Sequence, residues 1–455
     1  MRLYSAVLFL VLSCFSCNKK VLTSTDSDHK KAGEQQGSYS KLSDNQLLDL
    51  VQKQTIKYFW EGAEPNSGMA CERVHMDGFY PQNDQHIITT GGSGFGFMAI
   101  LAGVERGFIK KEEALDRFLK NIAFLEKADR FHGVWPHWLD GKTGKVQPFS
   151  KKDDGGDLVE TAFMAQGLLA VAEYFNGTNP KEKLLVSKID TLWRGIEWNW
   201  YTQGKNTLYW HWSPNYGWEM NFPVGGYNEC LIMYVLAAAS PTFPISKEVY
   251  EQGWALYGNI KKDTTLYGIK TVLNHYEHSK DPVGPLFWAH YSYLGLDPNG
   301  LIDQFADYGL LNRNHALIHH QHAIKNPNKC KGYSAVNWGL TSSYSMKGYA
   351  GHQPNKDLCV ISPTAAMSSI PYTPKESLDF IRHLYIDKME YIGEYGPYDA
   401  FSEEHNWYLP RYLAIDQGPI PVMIENYRSG LLWKLFMANN DVKIGLKRLG
   451  FMYAK

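Results

Sequence analysis

Residues 92–107 read GSGFGFMAILAGVERG, and residues 111–126 read KEEALDRFLKNIAFLE. The first stretch is apolar nearly all round and rich in small residues, so as a helix it must be buried on most sides. The second sets apolar residues three and four apart with charges between them, the pattern of a helix with one face on a core and one in water. The link between them, Gly107–Lys110, is short. The same alternation runs through the chain. Amphipathic segments lie near 44–60, 111–126, 182–203, 246–260, 299–324 and 374–389, and apolar or small-residue segments near 92–107, 157–176, 226–240, 284–294, 362–370 and 419–438. Links from an outer segment to the next inner one are long: 61–91, 127–156, 204–225, 261–283, 325–361 and 390–418. Antiparallel neighbours joined in this way bring the long loops to one end. The expected fold is all-α, an (α/α)6 barrel with six inner and six outer helices. A helix solenoid would need a repeated sequence signature, and none is visible.

The N-terminus reads MRLYSAVLFLVLSCFSCNKK. Arg2 and the apolar run Leu3–Leu12 form a signal peptide too short to span a bilayer. Ser13–Cys14 and Ser16–Cys17 both offer a lipidation site, and the polar Asn18, Lys19 and Lys20 favour Cys17. The alternative is an ordinary signal peptide with incidental cysteines. Residues 18–41 are polar and nearly free of apolar side chains, a tether that cannot build a core. The expected organisation is a lipoprotein signal peptide over 1–17, a tether over 18–41 and one domain over 42–455, monomeric and held at the outer membrane through lipid alone. Which side of that membrane it occupies is left open. No stretch after the leader is long and apolar enough to read as a transmembrane helix.

The formal net charge is −1. Without a basic stripe the chain has no footprint for nucleic acid, and without a positive cleft none for a polyuronate. Aromatic residues make up 14% of the chain, with 14 Trp and 29 Tyr, many in Gly- and Pro-rich loops. Exposed rings of that kind suit the faces of sugars. Beyond the leader, Cys71, Cys230, Cys330 and Cys359 can form two bridges in three connectivities, and their spacing matches no zinc motif. His315, His319, His320 and His322 cluster on one outer segment, but without the glutamate of a zinc-protease motif. No metal or cofactor is expected.

Acids at the starts of inner helices are the first candidates for chemistry. DDGGDLVETAF (153–163) holds Asp153, Asp154, Asp157 and Glu160, and PVGGYNEC (223–230) holds Glu229. Asp157 and Glu160 share a helix face, which fits either a catalytic pair or a capping box. Asn228 is the better cap of its helix, which frees Glu229. A carboxyl followed by apolar residues tends to keep its proton, as a general acid must. YGPYDAFSEEHNW (395–407) adds Asp399 and Trp407. In YLAIDQGPIPVMIENYRSGLLW (412–433) Asp416 enters the last inner helix, and Glu425 is expected to pair with Arg428 at helical spacing. Glycoside hydrolysis needs two carboxyls flanking the bond. Glu229 is the expected acid, with the base at Asp157 or Glu160, or at Asp399. Expected sugar contacts are Trp135, His137 and Trp138 in RFHGVWPHWLD, with Tyr227, Trp407 and Asp416.

Seven stretches carry a family resemblance: TGGSGFGFMAILAGVERGFI, GGDLVETAFMAQGLL, GGYNECLIMYVLAAASPTFPI, PLFWAHYSYLGLDP, ISPTAAMSSIPYTPKESL, YGPYDAF and AIDQGPIPVMIENYRSGLLW. Together they run from about residue 45 to the end. The chain resembles the bacterial glucoamylase-like proteins and, within them, glycoside hydrolase family 144. The resemblance implies an (α/α)6 barrel and inverting hydrolysis of β-1,2-glucan, with Asp157, Glu160 and Glu229 at the family's acidic positions. It leaves endo or exo action, and the identity of the base, open. Two readings compete: a polysaccharide lyase on the same barrel, which would need the basic cleft that is missing, and a non-catalytic glycan-binding lipoprotein, which needs rings but no matched carboxylates.

Overall fold

The computed structural model describes residues 39–177, 179–275 and 283–454. The expected leader, Cys17 and residues 18–38 of the tether lie outside the described residues. Tyr39, at the tether's end, packs on Tyr385 with ring centroids 6.2 Å apart.

The protein is mainly helical. Along the chain run α1 (Asp44–Trp60), α2 (Thr90–Glu105), α3 (Lys111–Leu125), α4 (Leu158–Phe175), α5 (Pro180–Arg194), α6 (Leu231–Ala239), α7 (Tyr308–Lys325), α8 (Pro363–Met367), α9 (Pro374–Asp387), α10 (Pro419–Ser429), α11 (Leu431–Ala438) and α12 (Asn440–Leu449). The apolar helices touch one another in sequence. α2 packs along α4, α4 along α6, α6 on the turn Tyr291–Tyr293, and α10 on both α8 and α2. The amphipathic α1, α3, α5 and α9 lie against this inner set. Small residues make the close approach possible: a Cβ at Gly94 would stand 2.3 Å from the Phe163 carbonyl oxygen, and one at Gly167 2.2 Å from that of Gly94. Here α2 and α4 meet backbone to backbone, which any larger side chain would prevent.

The long loops are stitched to their neighbours by short bridges. Ile87–Thr89 pairs with Trp138–Asp140, and Gly156–Asp157 with His211–Trp212. Tyr227 bridges to His275. The Leu286 N–H donates to the Leu340 carbonyl. Ile361 bridges to Phe401. Arg411–Leu413 returns to Arg73–His75. Followed in order, these contacts pass through all the long loops and come back to the first.

Several expectations are corrected. Residues 284–294 form two 3-10 turns, Leu286–Ala289 and Tyr291–Tyr293, rather than an α-helix. The segment crowds Phe287, Trp288, His290, Tyr291 and Tyr293 into seven residues, and aromatic side chains lose rotamer freedom in a helix. Residues 246–260 form one short helical turn followed by π and 3-10 turns. Residues 419–438 split at Gly430, whose φ of 69° ends α10. The chain then folds back through α12 onto α6. Leu158–Phe175 is long and apolar enough to cross a membrane by length and composition, against expectation, yet 83% of it is buried. Glu425 pairs with Arg106, the C-cap of α2, rather than Arg428, with Oε2 2.7 Å from Nε, and Arg428 pairs with Asp49 at 2.6 Å. Cys330 and Cys359 are bonded, while Cys71 and Cys230 are free and buried, so one bridge forms where two were possible.

Candidate active site

Asp157 caps α4. Its Oδ1 accepts from the backbone N–H groups of Val159 (3.0 Å) and Glu160 (2.9 Å). Its Oδ2 faces the loops and accepts from His137 Nδ1 (3.0 Å) and Trp210 Nε1 (3.1 Å). His211 Nε2 lies 3.6 Å from the same oxygen and 3.1 Å from Asp153 Oδ2. The capping reading therefore describes one oxygen of Asp157 and not the other. Burial pushes this carboxyl's pKa up, but the His137 hydrogen bond and the two imidazole charges outweigh it, and the net shift is downward. Asp157 is an anion with no exposed surface.

Glu160 departs from a capping box. Its Oε2 accepts from the Gly91 N–H of α2 at 2.7 Å, and Oε1 lies 3.9 Å from His137 Nε2. Burial raises its pKa, the His137 charge lowers it, and the Asp157 charge raises it again, so Glu160 favours its proton. His137 stands between these carboxyls, stacked on Phe149 with centroids 4.2 Å apart. Burial alone would lower its pKa, but Glu160, Asp157 and Asp153 push it up to about 10. It is an imidazolium bridge between the two carboxyls.

Glu229 lies two residues before α6. Its backbone carbonyl accepts from Ser292 Oγ, and the Asn228 side chain accepts from the Cys230 N–H at 2.9 Å. Asn228 turns the backbone but does not cap α6, against expectation: the N-cap is Cys230, with no side-chain hydrogen bond. Among the described residues, only Glu229's own backbone N–H donates to that carboxyl. Burial, with the Asp157 charge added, raises its pKa to about 7.

A second acid group comes from the 390–418 loop. Asp399 and Asp416 act directly on each other, and Asp399 Oδ1 and Asp416 Oδ2 are buried with no hydrogen-bond partner among the described residues, the setting in which one of two neighbouring carboxyls keeps its proton. Asp399 Oδ2 accepts from the Tyr344 N–H at 2.7 Å, and Asp416 Oδ1 accepts from Tyr291 OH at 3.3 Å. Burial raises both, and the Asp399 charge raises Asp416 further. Tyr291 links the two acid groups, since its hydroxyl also lies in the field of Glu229.

The other expected sugar contacts fare unequally. Trp135 and Tyr227 have no exposed surface. The Trp135 indole donates to the Leu125 carbonyl, and the Tyr227 hydroxyl to Asn312 Oδ1. Both are core residues, and a ring without an open face provides no platform. Trp138 is half-buried between Arg73 and Phe149. Trp407 is half-buried in the hairpin Phe401–Ser402/Trp407–Tyr408, with no hydrogen bond or ring contact to the acids among the described residues. The histidine cluster is structural: His315 and His319 each set Nε2 against the Gly284 carbonyl, at 2.8 and 2.9 Å.

Sequence reasoning missed Glu72, Trp210, His211, Tyr291, Tyr344 and Tyr349. Glu72 adds a negative field on Glu160 and Asp416. One signal was available: YWHW (209–212) and WPHW (135–138) each hold two tryptophans and one histidine, and each supplies that histidine near Asp157.

Buried carboxyls in two protonation states, among half-buried rings on a helical scaffold, define a carbohydrate-active type of site. The family model described as "Putative glucoamylase" matches residues 221–440. A solved endo-beta-1,2-glucanase from Chitinophaga pinensis, in complex with sophorotriose and glucose, is 60% identical, with 90% of this chain and 99% of that chain covered and a TM-score of 0.89. An exo beta-1,2-glucooligosaccharide sophorohydrolase from Parabacteroides distasonis is 45% identical over 430 residues, 90% of this chain. The chain spans 58% of that relative's length. The chain belongs to this glucoamylase-like family.

Proposed function

We propose that the protein is a glycoside hydrolase that cleaves β-1,2-linked glucan by an inverting acid–base mechanism. The observation that carries the reading is the division of protons among its buried carboxyls. Burial raises the Glu229 pKa to about 7, and its carboxyl takes only its own backbone N–H among the described residues, so it donates to the leaving glycosidic oxygen. The base must be negative and have a free lone pair. Asp157 is negative, but its facing oxygen already takes two N–H donors, so it orients sugar and protein groups instead. Glu160 favours its proton. The Asp399–Asp416 pair keeps one negative charge at neutral pH and is the group best suited to activate water, which moves the base from the expected Asp157 or Glu160 to the Asp399 alternative.

The closed order of loop contacts and the sequential packing of α2, α4, α6, the 284–294 turns, α8 and α10 support closure into an (α/α)6 barrel. The Tyr372 hydroxyl donates to the Ala289 carbonyl at 2.7 Å, joining the last two neighbours in that order. Lipid on Cys17 would hold the enzyme at the outer membrane. Cys17→Ala should release the protein into the soluble fraction, and unchanged fractionation would remove that proposal.

The test of function is reducing-sugar release from pure β-1,2-, β-1,3-, β-1,4- and α-1,4-glucans, with proton NMR of the first products. The expected result is cleavage of the β-1,2 polymer alone, with the α-anomer appearing first. Early β-anomer would mean retention. Binding without release would favour a glycan-binding protein.

A further inference from the structure

The strands Ser342–Ser345 and Gly348–Gly351 form a hairpin in which Tyr344 lies directly opposite Tyr349. Ser343 and Ser345 are buried, and the two tyrosines project from the other face. Their rings meet edge to face at 6.4 Å and 88°. That face is turned toward the acids. The Tyr344 N–H donates to Asp399 Oδ2, and the Tyr344 hydroxyl lies in the fields of Arg73, Asp399 and Glu72. The hairpin therefore reaches across the 390–418 and 61–91 loops.

Tyr349 combines two properties that rarely coincide. Its side chain is 54% exposed, among the most exposed large apolar side chains of the described residues. Yet its hydroxyl lies in the fields of Asp416, Asp399 and Glu72, and burial and those charges raise its pKa well above the usual range. A ring that is open to water and whose hydroxyl lies in the field of buried acids is placed to meet a ligand that reaches those acids. The fold gains little from an aromatic ring left half in water, whereas a flat apolar face beside acids is what a sugar ring stacks on.

We propose that Tyr349 is a sugar-stacking residue, and that the hairpin Ser342–Gly351 sets how much of a glucan chain is held beside the Asp399–Asp416 pair. The ligand is one glucose unit of a β-1,2-linked chain, seated on the ring face. The proposal rests on the glucan-hydrolase reading above and extends it to substrate length.

The test uses the full chain with Tyr349→Ala and Tyr349→Phe, assayed on β-1,2-linked glucose oligomers of increasing length. Tyr349→Ala should raise KM for the longer oligomers by roughly tenfold, near the upper end for one aromatic stacking contact, with a smaller rise for the shortest. kcat should fall by less than about threefold, because the contact serves ground and transition states alike. Tyr349→Phe keeps the ring and should stay within about twofold of wild type. An unchanged KM and product pattern in Tyr349→Ala overturns the proposal, as does a loss confined to kcat at every length. If wild type cleaves none of these oligomers, the hydrolase reading fails separately. Calorimetric titration of the same oligomers into wild type and Tyr349→Ala then decides the stacking role, since equal affinities would overturn it.

Discussion

The two acid groups are buried alike and compensated differently. Around Asp157, burial is met with positive charge, the His137 imidazolium at 3.0 Å, and His211 Nε2 lies 3.6 Å from the same carboxylate oxygen. Around Asp399 and Asp416 no cation makes an ion pair among the described residues, and burial is met by sharing a proton. The first arrangement holds a permanent anion in fixed geometry and leaves it few free lone pairs. The second holds a charge that can accept a proton and return it. Buried carboxyls therefore divide into positioning groups and proton-transfer groups according to their neighbours, not their depth.

The largest effect should come from the acid that belongs to neither compensation. Glu229→Gln should lower kcat by ~10²-fold or more, the loss expected when one proton-transfer group is removed, while glycan binding survives. Activity in wild type should fall as the pH rises through about 7, where Glu229 loses its proton. An active Glu229→Gln enzyme would leave the mechanism without its acid.

The comparison itself is tested by one substitution made at both sites. Asp399→Asn and Asp157→Asn should each reduce activity, but their melting temperatures should separate. Asp157→Asn leaves two imidazoles facing a neutral side chain, and loss of one partner from a buried ion pair should lower Tm by roughly 5 °C or more. Asp399→Asn removes the one buried negative charge of the pair and should leave Tm within about 2 °C of wild type or raise it. Equal losses of Tm would erase the distinction between the two groups.

The smallest effect is a stability gain that carries a sign. The Glu229 pKa rises from 4.5 to about 7 on folding, so between those values unfolding releases a proton and stability falls as the pH rises. Glu229→Gln escapes this linkage. Its Tm should exceed that of wild type by a few degrees at pH 8 and match it near pH 4. A constant difference at both pH values would show that Glu229 does not titrate as described.

Helix alternation was legible because its determinants are local: glycine and alanine on all sides of 92–107, charges on one side of 111–126. The failures were local too. Five aromatic residues in 287–293 overrode an apolar pattern, and Gly430 broke what read as one helix. At the site, Asp157, Glu160, Glu229, Asp399 and Asp416 were all named from the sequence, because acids at the mouths of apolar helices are conspicuous. Trp135 was misread because a tryptophan in a loop looks the same whether its indole is stacked under Arg130 or open to water.

By itself, the sequence determined that the chain is mainly helical and which carboxyls could carry chemistry. Composition and periodicity are properties of neighbouring residues, and these features depend on little else. Only the tertiary structure decided which carboxyl keeps a proton. That depends on charges brought from afar: His211 reaches Asp153 from 58 positions along the chain, Tyr344 reaches Asp399 from 55, and Tyr291 reaches Asp416 from 125. A pKa is set by the atoms within a few ångströms of the group, and sequence distance carries no information about which atoms those are.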